Sequence, residues 1–556
     1  MNKLFKIIII SLIFISCNSK NEGTISNNGM VVSAREEASQ IGIDILKKGG
    51  NAFDAMVATE LALAVSYPSA GNIGGGGFMV YRKFDGSIGS LDYREKAPLK
   101  SYNNMYLDDD EEIIDGLSVI GALSVGVPGT IAGIFEVHDK LGSLPIQEII
   151  KPVIDLANKG VIVTSKQSEK IKENQKYFGL VNKNPILFDK KYKTNDTIKH
   201  ENLANTLSRI MLKGKDEFYK GETAVKLVSF IQKNGGIITL EDLKNYKPIW
   251  RDPITFKYDD LNIISMSPPS SGGICINQIL KMVEPYDLES YGHNSLNYIK
   301  LLVEAARRSF ADRSHFLGDP DFIKIPIDNL VSPEYLKQRM KDFSFDKPTN
   351  SNELKYGNLS VNESEETTHY SIVDQFGNAV AVTTTLNGSY GSKLYCEELG
   401  FFLNNEMDDF SSKPGFPNMY GLIGGEANKI EPEKRMLSSM TPTIVEKNNK
   451  LYMTLGTPGG STIITSVIQT ILNVHEFKMS MHEAVNSARF HHQWMPDSIR
   501  IESDRFDNKL KNQLLNDGYK LNDKGLIGRV DGILIKSNKQ LEGGADNRGD
   551  DIAIGF

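Results

Sequence analysis

In the stretch Glu366-Thr367-Thr368-His369-Tyr370-Ser371, a polar, irregular segment gives way to a β pattern. Ser351–Glu366 is rich in Asn, Ser and Glu, whereas Thr368–Val373 and Ala379–Thr385 are apolar and β-branched. Asp374-Gln375-Phe376-Gly377-Asn378 supplies turn residues between the two runs, so the pair predicts a β-hairpin. A threonine at the mouth of such a strand is ordinary until the chain is cut before it. A cut at Glu366–Thr367 would set the Thr367 hydroxyl beside a free α-amine, whose pKa of about 7.7–8.0 leaves a useful neutral fraction near physiological pH. That amine can take the hydroxyl proton without a distant histidine, a known variant of the nucleophile–base pair.

Other residues carry chemistry only in combination. Arg94, at the end of a strand in Leu91–Pro98, reads either as a surface arginine paired with Glu95 or Asp92, or as a fork for a carboxylate. Asn405-Glu406-Met407-Asp408-Asp409 is an acidic cluster without the alternating ligand spacing of a calcium loop. Thr457-Pro458-Gly459-Gly460-Ser461 opens a helical pattern at Thr462, so its N–H groups are placed to face an anion. Gly71–Phe78 lacks the Gly-Lys-Ser/Thr of a phosphate loop and leads into a strand, which points to close backbone approach. His491 and His492 are adjacent, so their side chains leave one element on different faces. They read as structural, and no metal is expected.

These groups need a scaffold. Ser33-Ala34-Arg35-Glu36 reads as a capping box with Ser33 as N-cap. Ala38, Ile41, Ile45 and Leu46 then follow helical spacing up to Gly49-Gly50. A second helix, Asp54 to about Val65, is rich in Ala and Leu and is expected to be buried. Ser267–Gly273 leads into another helix, a long one spans 295–316, and Asn387-Gly388 is a turn. With 556 residues, 40% of them hydrophobic, the chain can bury a large core. A net charge of −7 and the lack of a long basic run argue against nucleic acid.

Lys3 and Lys6 precede Ile7–Ile15, an apolar run broken only by Ser11. It is short of the roughly 20 residues of a membrane span but suits a signal peptide over 1–16. Phe14-Ile15-Ser16-Cys17 resembles a bacterial lipoprotein cleavage box; the other reading is an ordinary secretory signal. The expectation is a lipid on Cys17, a polar tether over 17–28, and a periplasmic or surface location in a bacterial envelope. Cys275 and Cys396 are read as free, buried thiols.

Together, Thr367–Ser371, Leu403–Asp409, Arg435–Pro442, Gly456–Ser461 and Arg489–Trp494, with Pro268–Gly273 and Leu317–Phe322, resemble the γ-glutamyltranspeptidase family of N-terminal-nucleophile hydrolases. The likeness runs from about Val31 to Phe556. It implies an α/β (α+β) fold: a four-layer αββα sandwich shared by two subunits from one precursor, a large one (29–366) and a small catalytic one (367–556), forming a single structural domain. It implies self-cleavage between Glu366 and Thr367 by an N-to-O acyl shift, Thr367 as nucleophile, Thr385 orienting its amine, and the Gly459 and Gly460 amides as an oxyanion hole. Arg94, Ser438 and Ser439 would hold the α-carboxylate of a γ-glutamyl donor, and Asn387, Glu406 and Asp409 its α-ammonium. Glu406 stands where some family members carry Gln. Pro414–Gly425, with Tyr420, matches a lid loop found in part of the family. The implied activity moves the γ-glutamyl group of glutathione and other γ-glutamyl amides to water or to amino acid and peptide acceptors. It needs no cofactor, and its protein partner is its own second cleavage product. Two other readings stand beside it: an N-terminal-threonine amidase for another acyl group or for poly-γ-glutamate, and an uncut envelope lipoprotein that binds amino acids or peptides.

Overall fold

The computed structural model describes residues 21–354, 367–523 and 525–556. The expected signal run, Cys17 and Glu366 lie outside the described residues. Two seven-stranded antiparallel sheets form the centre. One runs in the order Thr24–Ser26, Leu541–Gly544, Asp531–Ile535, Lys450–Gly456, Thr443–Lys447, Leu261–Ser265 and Ile254–Tyr258. The other runs Ile552–Gly555, Met30–Ser33, Thr368–Val373, Ala379–Thr385, Gly76–Arg82, Ile88–Asp92 and Ile249–Arg251. Both sheets therefore mix strands from before and after position 367. The sheets face each other where Thr368–Val373 meets Asp531–Ile535 and Ala379–Thr385 meets Lys450–Gly456. Ala52–Ser66 and Thr130–Leu141 cover the outer face of the second sheet, and Gly272–Val283, Thr462–His475 and Met481–Asn486 that of the first. The result is the four-layer αββα sandwich.

Period-two alternation divides the core. Tyr370, Ile372, Val380 and Val382 face the helices around Ala52–Ser66, whereas Ala379 and Ala381 share the inter-sheet core with Met453 and Leu455. Thr368–Val373 pairs on both edges, with Met30–Ser33 and with Ala379–Thr385, so the strand that starts after Thr367 is interior to its sheet. All fifteen residues of Ala52–Ser66 are buried, and Asn51 caps the helix in a capping box with Asp54. The glycine run is a close-approach site: a Cβ on Gly75 would lie 2.1 Å from Thr385 O, and one on Gly77 2.7 Å from Thr383 O.

Two expectations are corrected. Ser33 does not cap a helix. Pairing with Tyr370 holds its backbone in a strand, its Oγ donates to Arg35 O at 3.1 Å, and the helix Glu36–Lys47 begins after Arg35. The polar stretch read as a tether enters the fold at Thr24, because Thr24–Ser26 pairs with Leu541–Gly543 as an edge strand. An edge strand needs only backbone groups to pair, so polar side chains do not exclude it.

The sheets approach closely above His369. Its Nδ1 shares a hydrogen bond with Thr383 Oγ1 at 2.9 Å and its Nε2 one with Ser371 Oγ at 3.1 Å. Burial pushes the imidazole down to about 3, so it stays neutral. A Cβ on Gly456 of the facing sheet would lie 2.4 Å from this ring. Gly456→Ala is therefore expected to destabilise the fold by about 1–3 kcal/mol through overpacking, read as a lower denaturant midpoint at unchanged slope.

Candidate active site

Thr367 is 3% exposed and sits at the junction of two cavities. One is a narrow pocket of about 20 Å³ lined by Arg94, Arg313, Thr385, Asn387, Asp409 and Tyr420, with Ser438, Ser439 and Gly460 completing its wall. The other is an open cleft of about 360 Å³ whose lining includes Tyr67, Lys166, Tyr390, Gly459 and Arg529. The hairpin register that pairs Thr368 with Thr384 sets Thr367 across from Thr385. Thr385 Oγ1 accepts from Asn387 N at 2.7 Å.

Arg94 is not on the surface. It is 1% exposed, with Nη1 2.6 Å from Glu406 Oε2 and Nη2 2.5 Å from Asp409 Oδ2. Local sequence favoured Asp92 or Glu95 as its partner. Asp92 pairs instead with Arg251 and Arg435, whereas Glu95 does pair with Arg94, at the longer distance of 3.8 Å. Burial works against the Arg94 charge, and Glu406, Asp409 and Glu95 outweigh it, so its pKa is raised. The same burial pushes the acids up against the pull of Arg94: Glu406 well above the usual carboxylate range, Asp409 above it, and Glu95 to about 8.

Glu406–Asp409 forms a short 3₁₀ turn whose orientation is fixed from both sides. Asn404 Oδ1 accepts from Glu406 N at 3.0 Å, and Asn418 Nδ2 donates to Asp409 Oδ1 at 3.0 Å. Asn387 adopts φ 70°, the left-handed region that suits the residue before Gly388. Its Nδ2 donates to Asn405 O at 3.0 Å, which ties the turn to the acidic segment. Tyr420 closes the pocket: its hydroxyl donates to Asn387 O at 2.6 Å, and a Cβ on Gly460 would strike its ring at 2.5 Å. The surrounding loop is pinned by Met419 N donating to Asp408 Oδ2 at 2.9 Å and by Gln493 Nε2 donating to Tyr420 O at 3.1 Å.

Gly459 and Gly460 have φ 135° and 52°, where glycine carries no steric penalty. They precede the helix Thr462–His475. Among the described residues neither amide N–H has an acceptor. Ser438 and Ser439 are set by the Ser267–Gly273 loop: Ser438 N donates to Pro269 O at 2.8 Å, and Ser271 N donates to Ser438 O at 2.8 Å. All the site residues expected from sequence that lie among the described residues thus gather around Thr367 or around the Arg94 ion pair that borders it.

Arg313 was missed. It lies near the end of Leu296–Phe316, 4% exposed, and donates from Nη2 to Ser439 Oγ at 3.1 Å. The available signal was Arg307, Arg308, Asp312 and Arg313 packed into one helical stretch together with Leu301, Leu302 and Phe310. His491 and His492 are both buried in separate bonds, to Thr465 Oγ1 at 2.8 Å and to Asp497 Oδ1 at 3.3 Å. Cys275 and Cys396 are free and buried, and burial pushes their thiols up to about 11 and about 12.

Comparison with known proteins agrees with this geometry. The chain is 43% identical over 542 residues to the glutathione hydrolase proenzyme of Escherichia coli (strain K12), covering 96% of this chain and 92% of that protein. The crystal structure of the Helicobacter pylori gamma-glutamyltranspeptidase matches at 40% identity with a TM-score of 0.56, over 60% of this chain and 96% of that one. A cephalosporin acylase from Bacillus halodurans superposes over 99% of both chains with a TM-score of 0.83 at 23% identity, a likeness of fold alone. The sandwich by itself therefore does not select the acyl group, and the residues around Thr367 must. Their constellation and a family profile match over residues 38–556 lead to one conclusion: this chain belongs to the gamma-glutamyltranspeptidase family.

Proposed function

We propose that the protein is a self-processed γ-glutamyltransferase and glutathione hydrolase with Thr367 as its nucleophile. One observation carries the reading: Thr367 lies between a closed pocket holding both signs of charge and an open cleft, beside two glycine amides that have no acceptor among the described residues. In maturation, Thr367 Oγ attacks the Glu366 carbonyl carbon, the peptide C–N bond breaks, and water hydrolyses the resulting ester. This frees the Thr367 amine. In turnover, Oγ attacks the γ-carbonyl carbon of the donor while that amine takes the hydroxyl proton. The Gly459 and Gly460 N–H groups hold the oxyanion, and such donors are typically worth about 3–4 kcal/mol of barrier each. The ammonium returns the proton to the leaving nitrogen as the C–N bond breaks. Glutathione would release cysteinylglycine, and water or an amine then takes the γ-glutamyl group in a ping-pong cycle.

Thr385, across the hairpin from Thr367, orients the amine. Arg94, Ser438 and Ser439 bind the α-carboxylate, and Glu406, Asp409 and Asn387 bind the α-ammonium. A donor lacking the ammonium would leave the acidic pair without its ligand, which weighs against glutaryl-type side chains. A pocket of about 20 Å³ holds little more than one water. Donor binding therefore requires the Tyr420 loop to lift and then close over a dry site. Gly415 and Gly421, both at positive φ, are placed to absorb that movement. A lipid on Cys17, holding the enzyme in a bacterial envelope, belongs to the same proposal.

Three measurements test it. On a denaturing gel the 61.8 kDa chain should appear as two fragments, about two-thirds and one-third of its length, and Thr367→Ala should remain a single band; cleavage in that variant would place the bond elsewhere. Arg94→Lys keeps the charge but loses the fork, and should lower kcat/KM for γ-glutamyl-p-nitroanilide about 10–100-fold while both fragments persist. Cys17→Ser should move the protein from the detergent phase to the aqueous phase in a partition assay with its specific activity unchanged.

A further inference from the structure

Away from Thr367, the turn of an edge hairpin meets the end of a buried helix. Ile254–Tyr258 and Leu261–Ser265 pair as a hairpin joined by Asp259 and Asp260 alone. Asp259 takes φ 48°, the left-handed region that suits the first residue of such a turn. Both carboxylates reach the last residue of the helix Thr462–His475. His475 Nε2 is 3.0 Å from Asp259 Oδ2 and 3.9 Å from Asp260 Oδ1. The imidazole is 4% exposed, whereas both aspartates face solvent. The three donor atoms lie within 4.8 Å of one another. A zinc-sized cation about 2.0–2.2 Å from each would set them about 3–4 Å apart, a range that the two spacings from Nε2 already meet. The surroundings favour a cation. Glu284 Oε1 accepts from Asp259 N at 2.9 Å, and Glu476 Oε1 accepts from the Tyr258 hydroxyl at 2.7 Å, so two further carboxylates flank the turn. The negative end of the helix dipole lies here, and it already draws Lys478 Nζ to His475 O. The opposing charges are Lys281, 2.7 Å from Glu284, and Lys447, 3.0 Å from Asp260. Lys447 takes Oδ2 of Asp260 and leaves Oδ1 turned toward His475.

We propose that Asp259, Asp260 and His475 form a binding site for a divalent first-row transition cation of the Zn²⁺ or Co²⁺ type, with water completing its coordination. One imidazole nitrogen and two carboxylate oxygens suit such ions better than Mg²⁺ or Ca²⁺, which prefer oxygen ligands alone. Bound there, the ion ties the hairpin at the sheet edge to the far end of the helix that begins after Gly459 and Gly460. A metal on Nε2 moves the ring proton to Nδ1, which has no hydrogen-bond partner among the described residues. A ring without that support holds its metal less tightly, which sets the affinity in the micromolar range. The expectation of no metal, drawn from His491 and His492, does not reach this turn. None of the three residues lines either cavity at Thr367, so the proposal stands apart from the γ-glutamyl reading.

The test titrates untagged, chelator-treated protein with ZnCl₂ in a calorimeter, for wild type, Asp259→Asn, Asp260→Asn and His475→Gln. Wild type should take up one equivalent of Zn²⁺ at micromolar affinity that each variant binds at least about tenfold more weakly, the loss typical of even an outer-shell change at a metal site. Co²⁺ in place of Zn²⁺ should give a visible absorption band that the His475→Gln protein lacks. The thermal midpoint of wild type should rise with Zn²⁺ and stay fixed with Mg²⁺, because only an ion that binds the folded chain stabilises it; Asp260→Asn should remove the rise. His475 is buried, so if His475→Gln fails to fold, the two aspartate variants, altered at an exposed turn, decide the matter. No uptake below millimolar Zn²⁺ would overturn the proposal and leave His475 as a plain hydrogen-bond partner of Asp259. Equal uptake by wild type and both aspartate variants would overturn it too, by placing the ion elsewhere.

Discussion

Burying a guanidinium between two carboxylates is the constraint on which the rest of the site depends. Arg94 and Glu406 are withdrawn from water, and the Asp409 side chain is only 11% exposed. The Coulomb gain in such a place offsets desolvation only when geometry is fixed and the remaining polar atoms have partners. A polar collar meets it only in part, because both Glu406 carboxylate oxygens lack a hydrogen-bond partner among the described residues. Asn418 supports Asp409, Asn404 supports the turn, and Ser118 donates to Asp408 at 2.6 Å. With Glu95 a third acid beside the arginine, the cluster holds more carboxyl groups than Arg94 alone can neutralise. It is therefore poised for a further cation, and an ammonium group is the one the proposed substrate brings.

The same ion pairs join the two sides of position 367. Arg94 lies before it and its two nearest partners, Glu406 and Asp409, lie after. Arg82 with Glu446 and Asp92 with Arg435 repeat the pattern elsewhere in the molecule. Both sheets also alternate strands from the two sides. A single cut before Thr367 would remove one covalent bond and leave these contacts in place. An interior strand can therefore begin with a new chain end without the sandwich coming apart.

What sequence reveals here depends on how far the determining partner lies along the chain. The hairpin Thr368–Val373/Ala379–Thr385 was legible to the residue, because its turn chemistry and alternation are local. So was the long helix, with Ser295 capping Tyr298 N. The glycine run was legible as a crowding requirement, though not which carbonyls crowd it. Arg94 was not legible locally, since neighbouring Asp92 and Glu95 were nearer candidates than two acids more than three hundred positions away. Only the joint presence of several motifs changed its reading. Ser33 failed for the opposite reason: a locally valid capping pattern was overridden by strand pairing with Tyr370. Arg313 carried no motif, and its one signal was the crowding of charged residues among apolar ones on the helix Leu296–Phe316, which does not say which of them faces the pocket.

On the proposed mechanism, the division of space around Thr367 follows from what one residue must do when it serves as both attacker and base. The acyl side must be dry and closed, so that the carbonyl is held against the glycine amides and the charges at the far end are not screened. The narrow pocket under Tyr420 has that character. The leaving side must be open, because the first product departs and a second molecule must then reach the ester that still holds the donor half. The wide cleft meets Thr367 from there, with Gly459 on its wall, while Gly460 belongs to the closed side. The two glycines thus straddle the boundary between the compartments, and an oxyanion formed on Thr367 during either half of the cycle would fall between the same two amides. A distant histidine base would need its own path through one of these walls; an amine carried on the nucleophile does not. The economy of a single residue is therefore also what allows one side of the site to be sealed.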